Sequence, residues 1–147
     1  MGFFTSLDIG ASGLTAQRLR MDTISQNIAN INTTRTENGT PYRRREVIFE
    51  ERTGSDSFSS ILAGATDKLQ SGQGVRVSKI VEDSSDYKKI YDPGHPDADE
   101  EGYVSMPNVD VVTEMVNMIS ATRSYEANVT SINATKSMAM KALEIGK

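Results

Sequence analysis

From Asn108 to Ile145 the chain contains neither proline nor glycine. Good helix formers fill the stretch, among them Glu114, Met115, Ala121, Arg123, Glu126, Ala127, Ala134, Lys136, Lys141 and Leu143. With nothing to break it, such a run folds as one helix, roughly 50 Å long at about 1.5 Å per residue. Pro107 and a cap-like Asn108 mark its expected start. A helix this long is more than a compact domain of 147 residues needs.

Its apolar residues recur with a period of seven. Val111, Met118, Tyr125, Ile132 and Ala139 form one line, and Met115, Val129 and Leu143 interleave with it. That spacing is a coiled-coil seam, and a seam needs a partner helix. The N-terminus offers one. After a capping Thr5 or Ser6, a helix to about Asn30 carries Leu7, Leu14, Met21 and Ile28 seven apart, with Ile24 and Ile31 between them. Gln17 is the polar exception, and Gly10 and Gly13 lower the helix propensity. Two such seams pair as a long hairpin, within one chain or between chains.

Between the helices the pattern changes. Asn38-Gly39 is a strong turn signal. Tyr42–Glu51, Gly74–Val81 and Tyr87–Tyr91 have strand character, and Asp56–Ala63 is long enough for one short helix with Phe58, Ile61 and Leu62 apolar. Asp92–Asn108 reads as a proline-stiffened acidic loop. The expected fold is therefore α+β. Long N- and C-terminal helices (1–34 and 108–147) pair in a coiled-coil-like hairpin around a small β-rich insert, 35–107.

The residues that carry chemistry are sparse. There is no cysteine, hence no disulfide, thiolate metal site or cysteine nucleophile. A net charge of −4 argues against binding nucleic acid or anionic lipid through bulk charge. Arg43-Arg44-Arg45 reads as a solvated strand end beside Glu46, Glu50 and Glu51. Asp97, Asp99, Glu101 and Gly102 match part of a calcium loop, but Asn108 stands where the bidentate glutamate belongs. That stretch, and the lone His95 beside it, read as an exposed acidic turn. No nucleophile elbow, phosphate loop or dinucleotide fingerprint is present. The expectation is a non-enzymatic assembly protein with no cofactor and no metal. No run is apolar enough for a membrane span, and the N-terminus lacks the basic and apolar regions of a cleaved signal peptide.

Three blocks carry a resemblance. The first runs from Ser6-Leu7-Asp8-Ile9-Gly10-Ala11-Ser12-Gly13-Leu14 to Ser25-Gln26-Asn27-Ile28-Ala29-Asn30-Ile31-Asn32-Thr33-Thr34. The second is Glu114-Met115-Val116 with Ser120-Ala121-Thr122-Arg123-Ser124-Tyr125-Glu126-Ala127-Asn128, and the third is the closing Lys141-Ala142-Leu143-Glu144-Ile145-Gly146-Lys147. Together they resemble the flagellar axial proteins of rod, hook and hook–filament junction. The short length, His95-Pro96-Asp97-Ala98-Asp99 and Gly102-Tyr103-Val104-Ser105-Met106-Pro107-Asn108-Val109 narrow this to the proximal-rod branch. One departure is the stretch Arg35–Thr40 before Pro41-Tyr42-Arg43, where many relatives begin the strand at once.

The resemblance implies a structural subunit of the flagellar basal-body rod, secreted by the flagellar type III export apparatus without signal cleavage. It implies self-association in a helical assembly with other proximal- and distal-rod subunits and with the adaptor at the export gate. The expected assembly interface is the two seams: Leu7, Leu14, Met21, Ile24, Ile28, Ile31, Val111, Met115, Met118, Tyr125, Val129, Ile132 and Leu143.

Overall fold

The computed structural model describes residues 3–52 and 73–145. Its order is α1 (Phe3–Ala29), β1 (Arg45–Glu51), β2 (Val75–Glu82), β3 (Lys88–Tyr91), β4 (Tyr103–Met106) and α2 (Val111–Ile145). The strands form two separate two-stranded sheets, β1–β2 and β3–β4. The result is the expected α+β arrangement, two long terminal helices around a small antiparallel β insert. The short helix expected at Asp56–Ala63 lies outside the described residues.

Most of the insert follows its sequence signals. The Asn38-Gly39 turn forms with Gly39 at φ 74°, closed by hydrogen bonds from the Gly39 amide to the Thr36 carbonyl and from the Thr36 amide to the Thr40 carbonyl. β1 and β2 run antiparallel, since the Asp83 amide reaches the Arg44 carbonyl at one end and the Arg52 amide the Gly74 carbonyl at the other. The acidic loop departs from expectation. It contains a strand, β4, antiparallel to β3 with Ile90 opposite Val104 and Tyr91 opposite Tyr103. Only four residues lie between Gly102 and Pro107, too few for a visible alternation. What fixes the strand is burial, with Val104 at 2% exposure and Val109, just past Pro107, at 1%.

The start of α2 also differs. Asp110, not Asn108, is the cap: its carboxylate accepts from the Thr113 hydroxyl at 2.7 Å and the Thr113 amide at 3.0 Å. The Thr113 side chain, then its amide, hold the Asp110 carboxyl below its ordinary pKa of 3.8. The capping stabilisation is thus complete above pH 3.8 and is lost as pH falls through the lower folded-state value. Circular dichroism at 222 nm should show helix loss in acid that is smaller in Asp110→Asn, whose cap does not titrate. Equal acid sensitivity would place the effect elsewhere.

The chain divides into two compact units, one of Met1–Arg18, Phe49–Ser78 and Arg123–Lys147, the other of Leu19–Ile48 and Lys79–Thr122. In the first, α1 approaches α2 at its glycines. A Cβ at Gly10 would lie 2.7 Å from Ile132 Cγ1, and one at Gly13 3.0 Å from the Asn128 side chain. The glycines that weaken α1 as an isolated helix are thus its contact positions. The Ser12 hydroxyl donates to the Ile9 carbonyl at 2.7 Å and accepts the Val75 amide at 3.1 Å, tying β2 to α1. Gly74 makes that approach possible. It sits at φ 101°, and a Cβ there would fall 2.2 Å from Ser12 Oγ. Gly74→Ala should therefore cost about 1–3 kcal/mol through the backbone alone, read as a lower urea midpoint. An unchanged midpoint would contradict the close approach.

Candidate assembly interface

In the second unit α1, α2 and the insert meet around a buried polar group. Asn27 is fully buried (0%), and so is Glu114 (0%). The Asn27 Nδ2 donates to Glu114 Oε2 at 2.9 Å and to the Arg45 carbonyl at 2.9 Å. Its Oδ1 accepts the Tyr42 hydroxyl at 3.0 Å and the Arg45 amide at 2.9 Å. All four hydrogen-bonding positions of the amide are filled, which is what complete burial demands.

The other Glu114 oxygen accepts Arg44 Nε at 2.8 Å. Arg44 also pairs with Glu46, and its backbone amide donates to Asn108 Oδ1 at 2.8 Å. Asn108 in turn donates to Ser85 Oγ at 2.8 Å. Burial works against the Arg44 charge, but hydrogen bonds to Glu114 and Glu46 outweigh it and raise its pKa above the ordinary guanidinium value. Burial likewise raises the Tyr42 hydroxyl above 10.0, with the Arg45 guanidinium working against the rise. The Ser85 backbone and hydroxyl hold the Asp83 carboxyl below 3.8.

For Arg44 this network corrects the reading as part of a solvated strand end, while Arg45, with 44% of its side chain exposed, fits that reading. Arg44 has only 17% of its side chain exposed. Arg43 lies over the Tyr87 ring at 4.5 Å and donates to the Asp83 carbonyl. Arg45 bonds to Glu82 at 3.2 Å and sits over Tyr42. The network also shows what a search for apolar periodicity misses. Asn27, Tyr42, Asn108 and Glu114 belong to four separate sequence blocks, and all four meet here.

Along α2 the line Val111, Met118, Tyr125, Ile132 and Ala139 is half-buried. The most buried residues beside it are Glu114 and Ala121, both at 0%. Met115 at 54% and Leu143 at 72% face outward, while Val129 is half-buried. On α1, Ile24 is buried, and Leu7, Leu14, Met21 and Ile28 are half-buried; Ile31, also half-buried, lies in the turn just past the helix. Met21 Sδ meets the Thr122 hydroxyl at 3.7 Å. Gln17 Oε1 is buried without a hydrogen-bond partner among the described residues.

The outward face of α2 is apolar as well. Val112, Met115, Val116 and Ile119 are 70%, 54%, 60% and 56% exposed. Positions three and four apart lie on one side of a helix, so these side chains make a continuous stripe. A stripe of this kind on a protein surface marks an interaction site. Farther along, Met138, Met140 and Leu143 are exposed as well. In the acidic loop, Asp97 accepts the Thr34 hydroxyl at 2.8 Å. Asp99 closes a turn by accepting the Glu101 and Tyr103 amides. His95 Nδ1 accepts the Asp97 amide. Among the described residues no three His, Cys, Asp or Glu cluster as metal ligands, and no helix is long and apolar enough to cross a membrane.

Comparison with known proteins reaches the same two ends of the chain. The family described as "Flagella basal body rod protein" matches residues 7–35. That described as "Flagellar basal body rod FlgEFG protein C-terminal" matches residues 100–145. The flagellar basal-body rod protein FlgC of Bacillus subtilis is 56% identical, with all of both chains covered. The FlgC of Borreliella burgdorferi is 51% identical over 99% of this chain and 98% of its own. That of Escherichia coli is 40% identical over the whole of both. With identity at this level from end to end, the chain belongs to the FlgC family of flagellar basal-body rod proteins.

Proposed function

We propose that this chain is a structural subunit of the proximal rod of the bacterial flagellar basal body. It polymerises with other rod proteins into the shaft that carries torque from motor to hook, and flagellum-dependent motility needs it. The observation that supports this reading is the apolar stripe Val112–Met115–Val116–Ile119 on α2. Its helix has turned another side toward α1 through Glu114, and an apolar face is left over. Covering it with a neighbouring subunit's helix is a heterologous contact, which propagates as a helical assembly.

The two seams named from the sequence form the proposed assembly interface, with Met115 and Leu143 on its outward side. Neighbours are other proximal- and distal-rod subunits and the adaptor at the export gate. The location is the rod within the cell envelope, reached by the flagellar type III export route without signal cleavage. No catalytic step is assigned to the chain.

The test is genetic and structural together. Cells lacking the chain should not swim, and their isolated basal bodies should lack a complete rod. Restoring the chain should return both. Normal swimming without it would overturn the proposal. A stable soluble dimer that stays in the cytoplasm would favour a coiled-coil adaptor instead.

A further inference from the structure

The apolar seams repeat, and repetition is a weakness in specifying alignment. Val111, Met118, Tyr125, Ile132 and Ala139 on α2 recur every seven residues, as do Leu7, Leu14, Met21 and Ile28 on α1. Sliding one helix along the other by a heptad, about 10 Å at 1.5 Å per residue, again sets apolar residues opposite apolar residues. α2 has 35 residues and α1 has 27, so length alone does not forbid the slide. Gly10 and Gly13 do not forbid it either. A heptad away, Gly10 would meet Ala139 in place of Ile132, a smaller side chain.

The polar network does not repeat. Seven residues on from Glu114 is Ala121, which has no acceptor for Asn27 Nδ2 or Arg44 Nε. The same slide would set Thr34, beyond the end of α1, opposite Glu114 in place of Asn27. A slipped pairing therefore takes from the buried Asn27 amide and the buried Glu114 carboxylate the partners they have here, at the desolvation penalty of each, while Arg44 keeps only Glu46 and Asp83. Polar residues buried in an otherwise apolar seam are known to select register at the expense of stability.

We infer that Asn27, Arg44 and Glu114 act as a register lock: they set the axial alignment of α1 on α2, which the apolar seam leaves open by a heptad. Arg44 ties that alignment to β1, so the helices are indexed to the insert as well as to each other. The three are positioning residues. Their role is to select one pairing among several of similar apolar content.

The chain's lack of cysteine makes this directly testable in the full-length protein. Met21→Cys with Thr122→Cys reports the observed register, since those side chains touch. Ile28→Cys with Thr122→Cys reports a one-heptad slip. In the otherwise unaltered chain, a short bis-maleimide should bridge the first pair and leave the second at background. In Asn27→Leu/Arg44→Met/Glu114→Leu, an apolar replacement of the whole lock, helix content should persist and the second pair should bridge with yield comparable to the first. Bridging of the first pair alone in that folded variant overturns the lock. Loss of helix content overturns it equally, because the network would then supply stability and not register. As a further check, Arg44→Glu/Glu114→Arg, which rebuilds the ion pair, should bridge more of the first pair than of the second. Equal yields there would also count against the inference.

Discussion

Glu114→Ala should lower the unfolding free energy by about 3–5 kcal/mol, the usual effect of deleting one partner of a buried ion pair. The lower end is the better expectation, because Arg44 keeps 17% of its side chain in contact with solvent. Two groups lose their acceptor at once, Arg44 Nε and one hydrogen of Asn27 Nδ2. The second belongs to a fully buried side chain. Urea denaturation followed by circular dichroism measures the change. A loss below about 1 kcal/mol would mean that Glu114 is not enclosed as described, since that is the range of an exposed pair. Replacing Glu114 and Arg44 together by apolar residues should cost much less than the single change, because no charge is then left alone.

The second large effect separates folding from assembly. Val116→Asp and Ile119→Asp each place a charge on a surface that is already 60% or 56% exposed. Surface substitutions away from caps and networks usually stay within ±0.5 kcal/mol, so the purified protein should melt as before. A neighbour's helix covering the stripe would have to desolvate the new carboxylate, at a cost of several kcal/mol. Rod assembly, and with it swimming, should be lost while the protein is still made. Swimming at the original rate in both variants would remove the stripe from the interface. Ile132→Asp makes the contrast, because Ile132 packs on Gly10 inside the chain and its loss should lower stability as well.

Periodicity made the two helices legible, together with the seam of Val111, Met118, Tyr125 and Ile132. β-branched runs did the same for β1 and β2. What periodicity counts is apolar side chains, so it passed over the polar positions that the fold encloses. Asn27 and Glu114 are the two extremes, being hydrophilic by type and fully buried in fact. Their partners lie 15 to 87 residues away in the chain, beyond the reach of any local window. β4 escaped for the opposite reason, being too short for a pattern and held by the burial of Val104 and Val109. The Asn108 cap failed because two capping residues stood two apart, and Asn108 was already taken by Arg44 and Ser85. Gly10 and Gly13 were visible but misread, since propensity records their cost to a lone helix and not the close contact they permit.

The separations within the Asn27 network also bear on timing. The Asn27–Glu114 bond closes a loop of 87 residues, and the Arg44–Glu114 bond one of 70. Loop closure over such distances carries an entropic cost before any contact repays it, and high contact order slows folding. A chain that emerges one end first, whether from a ribosome or through a narrow channel, cannot complete the cluster until both 27 and 114 are clear. Until then the Thr36–Thr40 turn has its own hydrogen-bond partners, whereas Asn27 does not. Closing the Asn27 cluster therefore waits for one glutamate, and a chain truncated before residue 114 could not form it.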